Sequence, residues 1–237
     1  LNPYQMNKFK VMRQKTVLLL FSIILLSCAD DKTTQNIDTS ISLEELFNDW
    51  RAFEIPPLRN GVPDYRQETF ERRADDFQKL RNTLEALVKD EWPIEDQIDW
   101  HILWAEMNGY EFNTKLLKSW QRDPAFYKVI WTAKSDVPAH EGPTPHFVIE
   151  LWQYDFPLNA EQRAKFTKDI GLISNFYEQA KENLTGNARD LWIAGIRDIE
   201  TQVKVLQSIL EKPGVVKNEE LVAAIDKAQK ATIALAD

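Results

Sequence analysis

"FERRADDFQKLRNTLEALV", residues 70–88, sets the architecture of this 237-residue chain. Phe70, Ala74, Phe77, Leu80, Leu84, Leu87 and Val88 recur every three or four positions, with charged or amide side chains filling most of the gaps. That spacing gathers the apolar groups on one face of an α-helix, where they can be buried together while the charges stay in water. A strand would scatter the same residues over both its faces. The stretch holds neither Gly nor Pro and is rich in strong helix formers. The same period returns up and down the chain, and the expected fold is all-α: an irregular multi-helix bundle.

Upstream, Ser42 with Glu45 makes a capping box before Leu43, Leu46, Phe47, Trp50 and Phe53, and Ile55-Pro56-Pro57 ends that helix. A loop follows through Gly61 and Pro63. Downstream, Pro93 suits the first turn of a helix whose apolar positions are Ile94, Ile98, Ile102, Leu103 and Met107, with an interruption expected near Gly109. Asp123-Pro124 reads as a helix start inside the aromatic run of residues 119–131. Pro138, Pro143, Pro145 and Pro157 punctuate residues 136–157, which read as a loop and then a short apolar segment of undecided type over residues 147–152.

Asn159 caps the next expected helix, with Phe166, Ile170, Ile173, Tyr177, Ala180 and Leu184 facing inward until Gly186. Asn187 is the expected cap of its successor, which carries Leu191, Trp192, Ile196, Ile199, Val203, Leu206 and Leu210 to the Pro213-Gly214 stop. Asn218 opens the last helix. Its pattern reaches Asp237 without a Gly or Pro, so the helical domain, residues 43–237, reads as truncated at its carboxy terminus. No fixed-period repeat relates these helices, which excludes a solenoid.

Composition bounds the function. With 43% hydrophobic residues the chain can build a sizeable core, and seven glycines are few for a turn-rich sheet protein. Four of its 29 basic residues lie in the first 28 positions, which hold no acid, so the remainder carries 25 basic against 37 acidic residues. A body that negative repels phosphate backbones, and nucleic acid is excluded as an expected partner.

The single cysteine, Cys28, follows Lys8, Lys10, Arg13 and Lys15 and an apolar run over residues 17–26 broken by Ser22. Ten helical residues span about 15 Å, half of the ~30 Å hydrocarbon layer, so the segment is too short for a membrane span and has the layout of a secretory signal. Leu25-Leu26-Ser27-Cys28 looks like a bacterial lipobox, in which the thiol is acylated after cleavage. Residues 1–28 are then a lipoprotein signal peptide and residues 29–42 a polar tether, with the protein exported and lipid-anchored at the cell envelope, on the periplasmic side or outer membrane of a Gram-negative bacterium. An ordinary secretory signal ending beside a cysteine, or an uncut anchor, is the alternative.

The stretch His140-Glu141-Gly142-Pro143-Thr144-Pro145-His146 holds the residue types of the helical zinc motif His-Glu-x-x-His at the wrong spacing. Histidines six apart point about 240° from each other on a helix, and two prolines and a glycine forbid one here. An exposed, rigid loop is the expectation, and no metal ligands are assigned. Asp99, His101 and Glu106 could form a general-base cluster, although a histidine beside acids on a helix more often only packs. The eight tryptophans could stack on sugars or peptides, but most fall at core spacing. Asn183-Leu184-Thr185 matches the glycosylation pattern, and no phosphate loop, nucleophile elbow or other catalytic residue emerges.

Five stretches in order, "IDWHILWAEMNGYEFN" (98–113), "WQRDPAFY" (120–127), "PAHEGPTPH" (138–146), "IELWQYDFPL" (149–158) and "ENLTGNARDLWIAGIRD" (182–198), resemble the amino-terminal half of a bacterial family catalogued as domain of unknown function eight-eight-five. The resemblance runs from about residue 43 onward. It implies a mostly helical, often exported protein similar to zinc metallopeptidases of the gluzincin type, whose motif His-Glu-x-x-Pro-Gly-His lies in the carboxy-terminal half together with a downstream glutamate. This chain has neither, so the resemblance implies zinc and a peptide substrate for a longer protein, with no cofactor in this chain and no catalysis by it alone. It also implies that these helices wall a substrate cleft, which the aromatics of residues 120–131 and the loop of residues 138–145 could face. The competing reading is a complete helical lipoprotein that binds carbohydrate or a partner protein without catalysis.

Overall fold

The computed structural model describes residues 41–134 and 145–237. Cys28, most of the tether and the His140 end of the proline-rich loop lie outside them. The fold is all-α, as the 3.6-residue period requires.

Helix α1 (Leu43–Glu54) starts at the expected capping box: the Glu45 N–H donates to Ser42 Oγ at 3.2 Å, and the Ser42 N–H donates back to the Glu45 carboxylate at 2.9 Å. After Ile55 the chain makes a small antiparallel hairpin of β1 (Leu58–Arg59) and β2 (Val62–Pro63). Asn60 and Gly61 turn it with φ of 53° and 84°, the pair of positive values that an Asn-Gly hairpin turn requires. The expected loop is thus an ordered turn.

Helices α2 (Gln67–Ala86) and α3 (Ile94–Phe112) pack with α1 around Leu46, Trp50, Phe77, Leu84, Trp100, Leu103 and Met107. Trp50, Phe53, Phe77 and Tyr110 interlock at centroid distances of 4.9–6.2 Å. On α3 the expected inner face is corrected: Ile94, Ile98 and Ile102 are 76%, 52% and 51% exposed. The helix carries two apolar stripes, and Trp100, Leu103 and Met107 form the one that is buried. The interruption expected near Gly109 is absent, since a glycine keeps its helical N–H. The helix changes later, passing into a π turn (Asn113–Leu117) that ends at left-handed Lys118, φ 47°.

A short helix α4 (Ser119–Arg122) leads to a 3-10 turn (Pro124–Tyr127), for which the Asp123 carboxylate accepts from the Ala125 N–H at 2.9 Å. The undecided segment is a two-residue strand, β4 (Ile149–Glu150), parallel to β3 (Ile130–Trp131), followed by a 3-10 turn (Leu151–Gln153). Helices α5 (Ala160–Asn183) and α6 (Arg189–Leu210) both pack against α7 (Glu219–Ala236). Asn159 and Asn218 cap α5 and α7 as expected. Asn187 does not cap α6; the cap position is Ala188 and has no side-chain bond. A tertiary contact holds this corner instead, the Gly186 N–H donating to the Gln121 carbonyl at 2.8 Å. Leu191, expected inside, is 42% exposed.

The helices thus enclose two apolar clusters, one among α1 to α3 and one among α5 to α7 with residues 120–130. Helix α2 belongs to both. Phe77 and Leu84 serve the first, while Phe70 stacks on Trp120 of the second at 3.9 Å.

Candidate functional site

An open groove of about 710 Å³ lies between the start of α1 and the first half of α3, where the buried Leu103 also lines it. The capping box fixes the first turn of α1, so Leu43 and Phe47, one turn apart, share one wall. Trp92 sits at one end, where the Gln97 side chain donates to its carbonyl at 2.9 Å and its own N–H donates to the Lys89 carbonyl at 3.0 Å. Helix α3 contributes Ile102, Asp96 and Asp99 to the opposite wall.

The groove is apolar at its floor and acidic at its rim, through Glu44, Asp96 and Asp99. Among the described residues no Lys or Arg lines it. Arg51 comes near, stacking over the Phe47 ring at 4.8 Å, but its guanidinium is bound to Glu54 at 3.0 Å and to Glu106 at 2.8 Å. Burial works against the Arg51 charge, and those two carboxylates more than offset it, so its pKa is raised.

The general-base cluster read from residues 99–106 is not assembled. Asp99 faces the groove, and Trp100 is buried with its indole N–H on the Leu84 carbonyl at 2.9 Å. His101 is exposed, its ring edge-on to Trp100 at 5.0 Å. Glu106 turns to α1, accepting from the Trp50 indole at 2.9 Å and from Arg51. Its role is to clamp two helices. Among the described residues no three His, Cys, Asp or Glu side chains converge to hold a metal ion.

The aromatics around residue 120 are corrected as well. Trp120, Phe126 and Tyr127 are buried in the core and face no cleft. Trp131 is half-buried under Lys128, whose Nζ lies 4.8 Å from the ring centroid. Asn183, in the glycosylation pattern, is itself buried and donates to the Tyr127 hydroxyl at 3.0 Å and the Tyr65 carbonyl at 3.2 Å. His146 is exposed, and its backbone N–H donates to the Tyr65 hydroxyl at 2.6 Å. Burial raises the pKa of both tyrosines, against the partial relief of those hydrogen bonds.

Two buried glutamines were not anticipated from the sequence. Gln179 accepts from the Tyr65 N–H at 2.6 Å and donates to the Pro63 carbonyl at 3.0 Å; Gln202 grips Ile130 in the same way. Their signal is an amide placed on an apolar stripe, as Gln202 lies between Ile199 and Leu206. Such an amide satisfies the backbone of a non-helical segment crossing the helix.

Comparison with protein-family models, with curated proteins and with solved structures finds no match for this chain. No helix among the described residues is long and apolar enough to cross a membrane.

Proposed function

We propose that this chain is the amino-terminal, non-catalytic helical region of a lipid-anchored, gluzincin-like zinc hydrolase that acts on peptides. In this reading Cys28 carries the lipid, residues 29–42 tether the body to the membrane, and zinc binds to sequence that this chain does not contain. The supporting observation is the ordered set of five resembling stretches, together with where four of them lie in the fold. Residues 98–113 form most of α3, and residues 120–127 and 182–198 meet at one corner. There a Cβ on Gly195 would lie 2.6 Å from the Ala125 nitrogen, and the Gly186 N–H bonds Gln121. Residues 149–158 begin with β4 of the small parallel pair. These stretches therefore supply docking contacts, which is what a scaffold needs.

Two measurements test the reading. The coding frame beyond Asp237 should run into His-Glu-x-x-Pro-Gly-His followed by a glutamate, and a protein including that region should bind one zinc per chain. A stop codon directly after Asp237 would sink the hydrolase part. Separately, cells expressing the chain should incorporate labelled palmitate into it, and Cys28→Ala should abolish the label and release the protein from the membrane fraction.

The apolar groove beside α1 favours a second reading, a lipoprotein that binds a partner protein without catalysis.

A further inference from the structure

We propose that the groove between α1 and α3 docks a cationic amphipathic helix of another polypeptide. Three observations carry this. The first is apolar lining that the fold leaves uncovered: Leu43, Phe47, Trp92 and Ile102 border the groove, with Phe47 39% and Ile102 51% exposed. From Asp96 to Leu103 the α3 wall is about 12 Å long, enough to receive two turns of a partner helix.

The second is charge. Glu44 and Phe47 stand on the α1 wall, Asp96 and Asp99 on the α3 wall, and Trp92 at one end. A helix with apolar residues along one face and lysines or arginines on its flanks would set its cations against both walls while covering the aromatics. The third observation decides between occupants. An anionic membrane surface would be repelled by the same rim. A second copy of this chain docking symmetrically would bring like carboxylates together, which repel. A basic partner meets neither obstacle. The inference rests on the groove alone and stands or falls separately from the hydrolase reading.

The test uses the purified chain and a fluorescein-labelled 16-residue helical peptide of leucine and lysine, leucines on one face, read by fluorescence anisotropy. Binding should weaken as salt rises, fall about tenfold with Asp99→Lys and severalfold with Ile102→Ser, and hold within about twofold with Glu200→Lys, an equal charge change at an exposed site on α6. A peptide with every lysine replaced by glutamate should not bind. An equal loss with Glu200→Lys would reveal unspecific attraction to an acidic protein and overturn the proposal. So would absence of binding, equal binding of the glutamate peptide, or a dimer of the chain that Ile102→Ser dissociates.

Discussion

Gln202 holds Ile130 by both ends of its side-chain amide: Oε1 accepts from the Ile130 N–H at 2.7 Å, and Nε2 donates to the Ile130 carbonyl at 3.1 Å. The glutamine sits on α6, 72 residues away in sequence, and both partners are 1% exposed. A helix side chain here replaces the neighbouring strand that Ile130 would otherwise need for these two groups. Gln202→Leu keeps the volume and strands a buried donor and acceptor, so it should destabilise the protein by about 2–3 kcal/mol, read as a lower urea midpoint at unchanged slope. Gln202→Ala should cost no less.

Two helical glycines should respond to alanine with opposite signs. At Gly195 a Cβ would lie 2.6 Å from the Ala125 nitrogen and 3.0 Å from Pro124 Cβ, so Gly195→Ala must push α6 off the Pro124–Tyr127 turn, at a cost of about 1–3 kcal/mol. At Gly171, within α5, nothing lies within 4 Å of the added carbon. Gly171→Ala should therefore stabilise by about 0.5–1 kcal/mol through the lost flexibility of the unfolded chain. Melting temperatures of the two variants should move in opposite directions.

Asp64 gives the protein a pH dependence. Burial alone would raise its carboxyl pKa, but hydrogen bonds from Arg66 and Thr69, with the charge of Arg66, hold it down at about 2. A carboxyl depressed on folding adds stability that is fully present above its unfolded pKa of about 3.9 and is lost as pH falls toward 2. Stability measured against pH should decline over that window. Asp64→Asn should lower stability at pH 7 by about 2 kcal/mol and flatten the decline.

The two stripes of α3 can be told apart by mutation. Leu103 is 2% exposed and Leu103→Ala should cost about 2–4 kcal/mol, whereas Ile98→Ser, at a site 52% exposed, should shift stability by less than about 0.5 kcal/mol. A large effect of the serine would mean that the isoleucine row, and not the Trp100 row, faces the core.

α3 also shows where sequence reasoning stops. Its residues announce a helix, because apolar groups recur every three to four positions, but they recur on two sides at once. Periodicity names the set of candidate faces; the choice between them belongs to α1 and α2, whose Trp50, Phe77 and Leu84 pack against Trp100, Leu103 and Met107. The groove was illegible for the same reason, since its walls come from residues 42–47 and 92–103. The Asp99 to Glu106 cluster failed as a candidate site because neighbours along a helix radiate in different directions. Glu106 went to Trp50 and Arg51, and His101 to the surface.

What the chain's own order of residues determined is local: the capping boxes at Ser42 and Asn159, the cap at Asn218, the stop after Glu54 and the helices between them. Each of these closes hydrogen bonds within about four residues, so a short window contains the whole cause. Tertiary structure alone decided which face of α3 is buried, where α6 begins, and which backbone Gln179 and Gln202 satisfy. Those outcomes depend on partners 16 to 116 residues away, and a buried polar group takes whichever partner packing brings within about 3 Å.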